Sequence, residues 1–174
     1  EIDYGKVPLV IRGQTVSTAT LDQWKKTLFD PEFARVWQTF MIDEVEESFV
    51  GSQGVDAEGE YFDLVQYITV TGINPRFAFQ RLHLKEDLDG NGFSILWTGI
   101  TSSYVVTTEN GTITSLTPRA KGFPELASYL EDNLGEAIAP TLSVGAWKVR
   151  LRSDGKTDAT DIICSNAGGK IPLL

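Results

Sequence analysis

The spacing of hydrophobic positions changes several times along this chain. Residues 7–19 mix β-branched and polar side chains and predict an opening strand. From 20 to 41 the apolar residues recur every three or four positions, as they do on one side of a helix. Asp30-Pro31 interrupts that pattern, because proline disfavours helical geometry in the residue before it. Two short helices joined by a proline turn are therefore predicted.

After residue 41 the spacing becomes that of strands. Hydrophobic and polar residues alternate, and Gly-, Asn- and Asp-rich breaks of the kind used by hairpin turns separate the runs. The predicted strands lie near 43–50, 60–71, 76–86, 92–100, 103–108 and 111–116. Helical spacing returns at 124–138. A strand around Trp147, a turn at 153–156 and a returning strand at 157–165 follow.

This order of elements predicts one α+β domain over residues 1–174. Sequential strands with short turns favour a largely antiparallel meander, and a long twisted sheet must curl or find a partner face. The two helices after the first strand can cover only part of one face. A curled sheet that grips helices leaves a cavity lined by inward side chains, and small ligands bind in such cavities.

Charge and composition narrow the partners. Lys and Arg total 15 against 24 Asp and Glu, a formal net charge of -9, which argues against nucleic acid because a phosphate backbone needs clustered cations. It also argues against electrostatic docking on an anionic membrane, although transient membrane contact stays open. Cys164 is the one cysteine, so neither an intrachain disulfide nor a metal site of paired cysteines is expected.

The sequence does not give the compartment. No apolar run reaches the ~18–20 residues that span a bilayer. The chain begins with Glu1 and carries no signal-peptide pattern, so a processed or cut form is expected. The protein is expected to be soluble, either cytoplasmic or exported after removal of a leader.

Four stretches resemble the START lipid-transfer domains of the helix-grip, or Bet v 1-like, superfamily. Residues 28–37 (LFDPEFARVW) are similar to the family's helix–turn–helix, and 73–84 (INPRFAFQRLHL) to its Arg-Asp-Phe strand. Residues 93–99 (FSILWTG) resemble its Trp-bearing strand, and 145–172 its closing hairpin and Ile-Pro corner. The resemblance implies a helix-grip fold, with a curved antiparallel sheet around a cavity and two short helices after strand one.

The chain departs from the START pattern at three places. No Asp follows Arg76, and residues 117–140 insert a helical segment where the family has a short connection. Family members also continue past the Ile-Pro corner into a C-terminal helix that lids the pocket, whereas this chain stops at Leu174. The C-terminal helix is therefore expected to be absent here, either because it has been removed or because the helix at 124–138 takes part of its role.

The resemblance also implies a polar anchor inside an apolar cavity. Many START domains pair an acidic residue on one strand with an arginine on the next, and the corresponding positions here are Asp63 and Arg81. A buried ion pair is costly and contributes little to stability, so its presence indicates a role such as binding the polar end of an amphipathic ligand. The alternative is that both are surface charges on exposed strands.

Alternating positions extend this candidate site along the two strands, and two tryptophans on strands expected to form the concave wall complete it. The predicted ligand-binding residues are Asp63, Val65, Tyr67, Phe77, Phe79, Arg81, His83, Trp97 and Trp147.

The predicted function is non-catalytic binding, transfer or sequestration of a lipid-like ligand, such as a sterol, a phospholipid acyl chain or a carotenoid, without a cofactor. The alternative is an enzyme of the cyclase/hydratase type, with His83, Asp63 or Tyr67 doing acid–base work. A third hypothesis is a domain that only mediates protein contacts.

Residues 87–92 (DLDGNG) resemble the start of an EF-hand calcium loop. Thr98 occupies the twelfth position, where such a loop has a bidentate Glu, so a hairpin turn and no metal are predicted.

Overall fold

A computed structural model describes residues 9–41, 45–100, 104–109, 112–118, 129, 132 and 142–166. Within these ranges the chain forms two helices and nine strands. No helix in this part of the chain is long and apolar enough to span a membrane. The elements are β1 Leu9–Ser17, α1 Leu21–Phe29, α2 Pro31–Met41, β2 Val45–Asp56, β3 Gly59–Val70, β4 Ile73–Glu86, β5 Gly92–Gly99, β6 Tyr104–Glu109, β7 Thr112–Pro118, β8 Leu142–Leu151 and β9 Thr157–Asn166.

The two predicted helices are confirmed, and local side chains explain their ends. Thr20 caps α1, because its hydroxyl accepts a hydrogen bond from the Gln23 backbone N–H at 3.2 Å while the Gln23 side chain accepts from the Thr20 N–H at 2.8 Å. Asp30 then ends α1 and accepts from the Phe33 backbone N–H at 3.0 Å. Pro31 follows at the first position of α2, where its missing N–H costs nothing.

Seven strands form one antiparallel sheet in the order β1-β9-β8-β5-β4-β3-β2. The prediction of a largely antiparallel sheet is confirmed. The meander is interrupted, however, because β5 pairs with β8, while β6 and β7 pair with each other in a separate two-stranded sheet. Among the described residues no helix follows β9.

Strand β2 is longer than predicted and contains an irregularity. The glycines after Val50 suggested a break, yet the strand continues to Asp56 with a register shift between Val50 and Gln53. Glycines inside strands commonly mark such bulges or a close approach of another group. Gly54 illustrates the second case, since a Cβ there would lie 3.3 Å from the hydroxyl of Tyr61.

The two sides of the seven-stranded sheet differ in what covers them. Helix α1 packs on one side, which we call the helix side: the Phe29 and Phe62 rings lie 5.3 Å apart, and the Trp24 indole donates a hydrogen bond to the Thr157 hydroxyl at 2.9 Å. The main core lies between this side and the helices. It consists of Leu28, Ala34, Phe62, Leu64, Leu82, Leu84, Phe93, Ile95, Trp97, Val149 and Ala159.

The opposite side, the far side, is mixed in character. Because side chains alternate across a strand, the neighbours of the core residues point here. On β8 these are exposed cations such as Lys148 and Arg150. On β2, β3 and β4 the far side is instead buried, and it carries Phe49, Val65, Tyr67, Phe77 and Phe79.

Candidate ligand-binding site

The far side of β3 and β4 forms a ladder of four directly opposed residue pairs. The pairs are Tyr67 with Phe77, Val65 with Phe79, Asp63 with Arg81, and Tyr61 with His83. Successive pairs lie two residues apart along each strand, which corresponds to about 7 Å. Along the ladder the first two pairs are apolar, and the last two, Asp63 with Arg81 and Tyr61 with His83, are polar.

The third pair is a bidentate ion pair. Arg81 Nε lies 2.7 Å from Asp63 Oδ1, and Arg81 Nη2 lies 3.1 Å from Asp63 Oδ2. The Asp63 side chain is completely buried, whereas that of Arg81 is 22% exposed. The hydrogen bond to the Asp63 carboxylate raises the pKa of Arg81 above its usual value, against the effect of burial. The two residues therefore face each other as the resemblance implied, with Asp63 buried and Arg81 partly exposed, while their role toward a ligand stays a prediction.

The guanidinium of Arg81 has further neighbours at the polar end of the ladder. Its Cζ lies 3.9 Å from the centre of the Tyr61 ring, a cation–π arrangement, and its Nη1 lies 3.6 Å from Asp56 Oδ2. His83 Nε2 lies 3.1 Å from both oxygens of Asp56. The hydrogen bond from His83 lowers the pKa of Asp56. This end of the ladder is thus a network of charges around one partly exposed arginine.

The apolar end is a continuous group of aromatic rings. Ring centres are 4.8 Å apart for Tyr67 and Phe77 and 6.2 Å apart for Phe77 and Phe79. Tyr129 extends the group, with its ring 5.5 Å from Tyr67 and 5.3 Å from Phe49. Burial is the main cause that raises the pKa of Tyr129 to about 12, with the nearby Glu46 carboxylate adding to it. Tyr129 is helical and lies within the predicted helix at 124–138, most of which is outside the described residues.

Two predicted site residues lie elsewhere. Trp97 is opposed to Leu82 and Gly145, and Trp147 is opposed to Ile95 and Asp161, so both indoles are on the helix side. The other seven predicted residues share the far side. The predicted set is therefore divided by the sheet into two groups that cannot contact the same small molecule.

Tyr61, Asp56, Phe49 and Tyr129 belong to the far-side group but were not predicted. Tyr61 had a signal, because it alternates in phase with Asp63 and Val65. For Asp56 and Phe49 the sequence contains no such signal. The bulge in β2 decides which side of the sheet they face, and the residue pattern of β2 does not reveal the bulge. In the described ranges, no group of three or more His, Cys, Asp or Glu side chains is placed to hold a metal ion.

Sequence comparisons give no match: no protein-family model matches the chain, and neither does any curated protein. Solved structures do match. The lipid transfer and protein localization domain of human StarD13 aligns with a TM-score of 0.57 at 10% identity, covering 94% of this chain and 65% of that one. Human STARD10 aligns with a TM-score of 0.56 at 10% identity over 94% of this chain and 53% of that one.

Human StAR-related lipid transfer protein 5 aligns with a TM-score of 0.60 at 12% identity over 94% of this chain and 64% of that one. This chain therefore spans between about half and two thirds of the length of these structures. At such identities the likeness concerns the fold. The architecture is a helix-grip fold, in which an open curved antiparallel sheet carries two short helices after its first strand. The three StAR-related structures share this fold with the chain, which agrees with the resemblance seen in the sequence.

Proposed function

We propose that this chain is a single domain that binds and sequesters an amphipathic, lipid-like molecule without catalysing a reaction. The observation that carries the proposal is the change of polarity along the far side of β3 and β4. Two buried apolar pairs lead directly to a fully buried carboxylate that is bound by a partly exposed arginine. An amphipathic molecule has the same order, with a long apolar body and one polar end.

The energetics of the Asp63–Arg81 pair support a binding role. Burying a carboxylate is costly, and an ion pair in this place contributes less to stability than well-packed apolar side chains would. Arg81 is held in position by Asp63, Tyr61 and Asp56, and its partly exposed guanidinium carries five N–H donors, of which two bond to Asp63. A fixed, accessible donor next to an apolar surface is well suited to a hydroxyl or a headgroup oxygen.

Tyr129 supports the same interpretation from the apolar end. Its ring contacts Phe49 and Tyr67, and Tyr129 itself is helical and lies outside the sheet. In this proposal the Tyr129 side chain moves away so that the apolar body of the ligand contacts Tyr67 and Phe77. Aromatic side chains offer a large, rigid contact area at a small entropic cost.

Acid–base catalysis has less support from the same residues. Both oxygens of Asp63 accept hydrogen bonds from Arg81, so this carboxylate is an unfavourable general base. His83 is bound to Asp56 at the charged end of the ladder, away from the aromatic group. A cyclase or hydratase would need titratable groups that converge on one substrate position, whereas these groups are engaged with each other.

The proposal is tested by asking whether the protein carries a lipid and whether Arg81 matters. Native mass spectrometry of the purified protein, followed by organic extraction, should reveal a bound lipid. The emptied protein should then bind at least one of cholesterol, phosphatidylcholine and β-carotene. Arg81→Gln should weaken that binding about tenfold, the cost of one hydrogen bond to a charged group.

Lys85→Gln is the matched control, because Lys85 is an exposed cation on the same strand and the same side, paired only with Glu58 at 2.8 Å among the described residues. It should leave binding unchanged. A protein that carries no lipid and binds none of the three probes would refute the carrier function. Equal affinities for the native protein and Arg81→Gln would refute the anchor while leaving the carrier function standing.

A further inference from the structure

The helix side carries a second carboxyl group, which is half-buried and accepts a backbone hydrogen bond from Ile162 but has one oxygen without a partner. Asp161 lies on β9 between Trp147 of β8 and Gly13 of β1, with which it forms directly opposed pairs. Its Oδ1 atom is buried and makes no hydrogen bond to any residue that the structure describes. No cation of the described residues forms an ion pair with it, whereas Asp63 on the far side is fully compensated by Arg81. An uncompensated buried carboxyl group costs free energy unless something else binds to it.

The surroundings of Asp161 leave room for a ligand. Gly13 is exposed and has no side chain, and a Cβ added there would meet no atom of the described residues within 4 Å. Opposed residues of an antiparallel pair have Cβ atoms only about 5 Å apart, so this open space adjoins the Asp161 side chain. Any larger residue at position 13 would extend into it.

The neighbouring positions supply apolar contact area. Trp147 borders the open space on the β8 side and packs against Trp24, with the ring centres 6.1 Å apart. Ile11 and Ile163 form the next opposed pair on the same side, and Ile11 is 50% exposed. An indole and two isoleucines thus flank the Asp161 carboxyl group, which is the one charged group of this set. We call this set the Asp161 recess and define it by Gly13, Ile11, Trp147, Asp161 and Ile163, of which Gly13 and Ile11 are exposed.

We propose that the Asp161 recess is a binding site for an apolar molecule that carries a protonated amine. The ammonium group donates a hydrogen bond to Asp161 Oδ1 and supplies the missing positive charge, and the apolar part lies on Trp147 and the two isoleucines. A neutral molecule would leave the carboxylate uncompensated, and an acid would be repelled by it. This site is on the opposite side of the sheet from Arg81 and has the opposite charge preference, so it stands independently of the lipid-binding proposal.

Dodecylamine, dodecanol and dodecanoic acid are suitable probes, because they share one apolar chain and differ in the polar end. Each is titrated into the protein below its micelle concentration, with calorimetry as the readout. We expect dodecylamine to bind about tenfold more tightly than dodecanol, as one charge-assisted hydrogen bond predicts. Dodecanoic acid should bind most weakly at this site.

Three variants test the location. Asp161→Asn should weaken dodecylamine about tenfold and leave dodecanol unchanged. Gly13→Val should weaken both by filling the space, since valine suits a strand. Asp158→Asn is the matched control: Asp158 is on the same strand but the other side, paired with Arg152, and its change should affect neither probe.

The outcomes separate this site from the far-side ladder. Arg81→Gln should leave dodecylamine affinity unchanged even if it abolishes binding of cholesterol or phosphatidylcholine. Dodecylamine that binds no better than dodecanol, or equally well to Asp161→Asn, would overturn the proposal. So would unchanged dodecylamine affinity in Gly13→Val, because the ligand would then lie elsewhere.

Discussion

Asp63 and Asp161 lie on opposite sides of one sheet, and their carboxyl groups are buried in different ways. Asp63 is fully buried and bound by two nitrogens of Arg81. Asp161 has a buried oxygen with no partner, and burial raises its pKa to about 6, while a backbone hydrogen bond from Ile162 opposes that rise. The first carboxylate is compensated by a cation inside the protein, whereas the second has one backbone hydrogen bond and no ion-pair partner among the described residues.

This difference shows how one sheet can offer two kinds of polar contact. On the far side the accessible group is a cation that a carboxylate holds in place, so it suits a hydroxyl or an anionic headgroup. On the helix side the polar group is the carboxylate itself, so it suits a cation. Each interpretation depends on how much its aspartate carboxylate raises or lowers the free energy of unfolding. Denaturation experiments can measure that contribution without any ligand.

Removing Arg81 should have the largest effect. Arg81→Leu leaves the Asp63 carboxylate buried without its cation, and we expect a loss of about 3 kcal/mol in the free energy of unfolding. Urea denaturation monitored by tryptophan fluorescence measures it. The double variant Asp63→Asn with Arg81→Leu should be more stable than Arg81→Leu alone, because it contains no buried charge. If the two variants have equal stability, the charge of Asp63 is not what makes Arg81 necessary.

Two glycines on the helix side should respond in opposite ways to the same added methyl group. A Cβ at Gly145 would overlap the ring of Trp97 and lie 2.5 Å from the Ile162 carbonyl oxygen, so Gly145→Ala should cost about 1–3 kcal/mol. A Cβ at Gly13 would meet no atom of the described residues within 4 Å, so Gly13→Ala should be neutral or slightly stabilising. Thermal denaturation compares them. An equal loss in Gly13→Ala would show that the space beside Asp161 is filled.

Much of the far-side ladder could be predicted from the sequence. The strand period of two places Asp63, Val65 and Tyr67 on one side, and the resemblance supplied the pairing with Arg81. The side of Trp97 and Trp147 could not be predicted in the same way. Alternation fixes which residues of one strand share a side, but the register between strands decides which side that is, and a shift of one residue reverses it.

The same limit explains what was missed in the fold and on the helix side. The alternation in β6 and β7 correctly indicated strands. Nothing in their local sequence shows, however, that β5 pairs with β8 rather than with β6. Asp161 reads as an ordinary polar residue of a strand, because its burial depends on Trp147 and on β1, which is about 150 residues away in the sequence. Long-range pairing creates the site, and the local pattern does not contain it.

Asp161→Asn should make the protein more stable, by about 1 kcal/mol at about pH 7 after allowance for partial solvent screening. The folded-state pKa of about 6 lies above the usual value of 3.8, so the folded protein holds this proton to higher pH than the unfolded chain. The carboxylate therefore costs nothing below the lower value, and its cost grows as the pH rises to the upper one. Urea denaturation across that window should show the gain of the variant shrinking toward zero as the pH falls. A constant difference would mean that the charge of Asp161 is not its cause.

The smallest effect is expected from the exposed ion pair that neighbours the ladder. Lys85 and Glu58 are 2.8 Å apart, nearly as close as Arg81 and Asp63, but their side chains are 45% and 64% exposed. Water compensates both charges when the pair is broken, so Lys85→Met should leave the unfolding midpoint in urea unchanged. The comparison tests burial alone, because Arg81 and Lys85 lie on the same strand and their distances to Asp63 and Glu58 are nearly equal. A loss as large as that of Arg81→Leu would show that the whole charged network, and not the burial of Asp63, sets the energetics of the polar end.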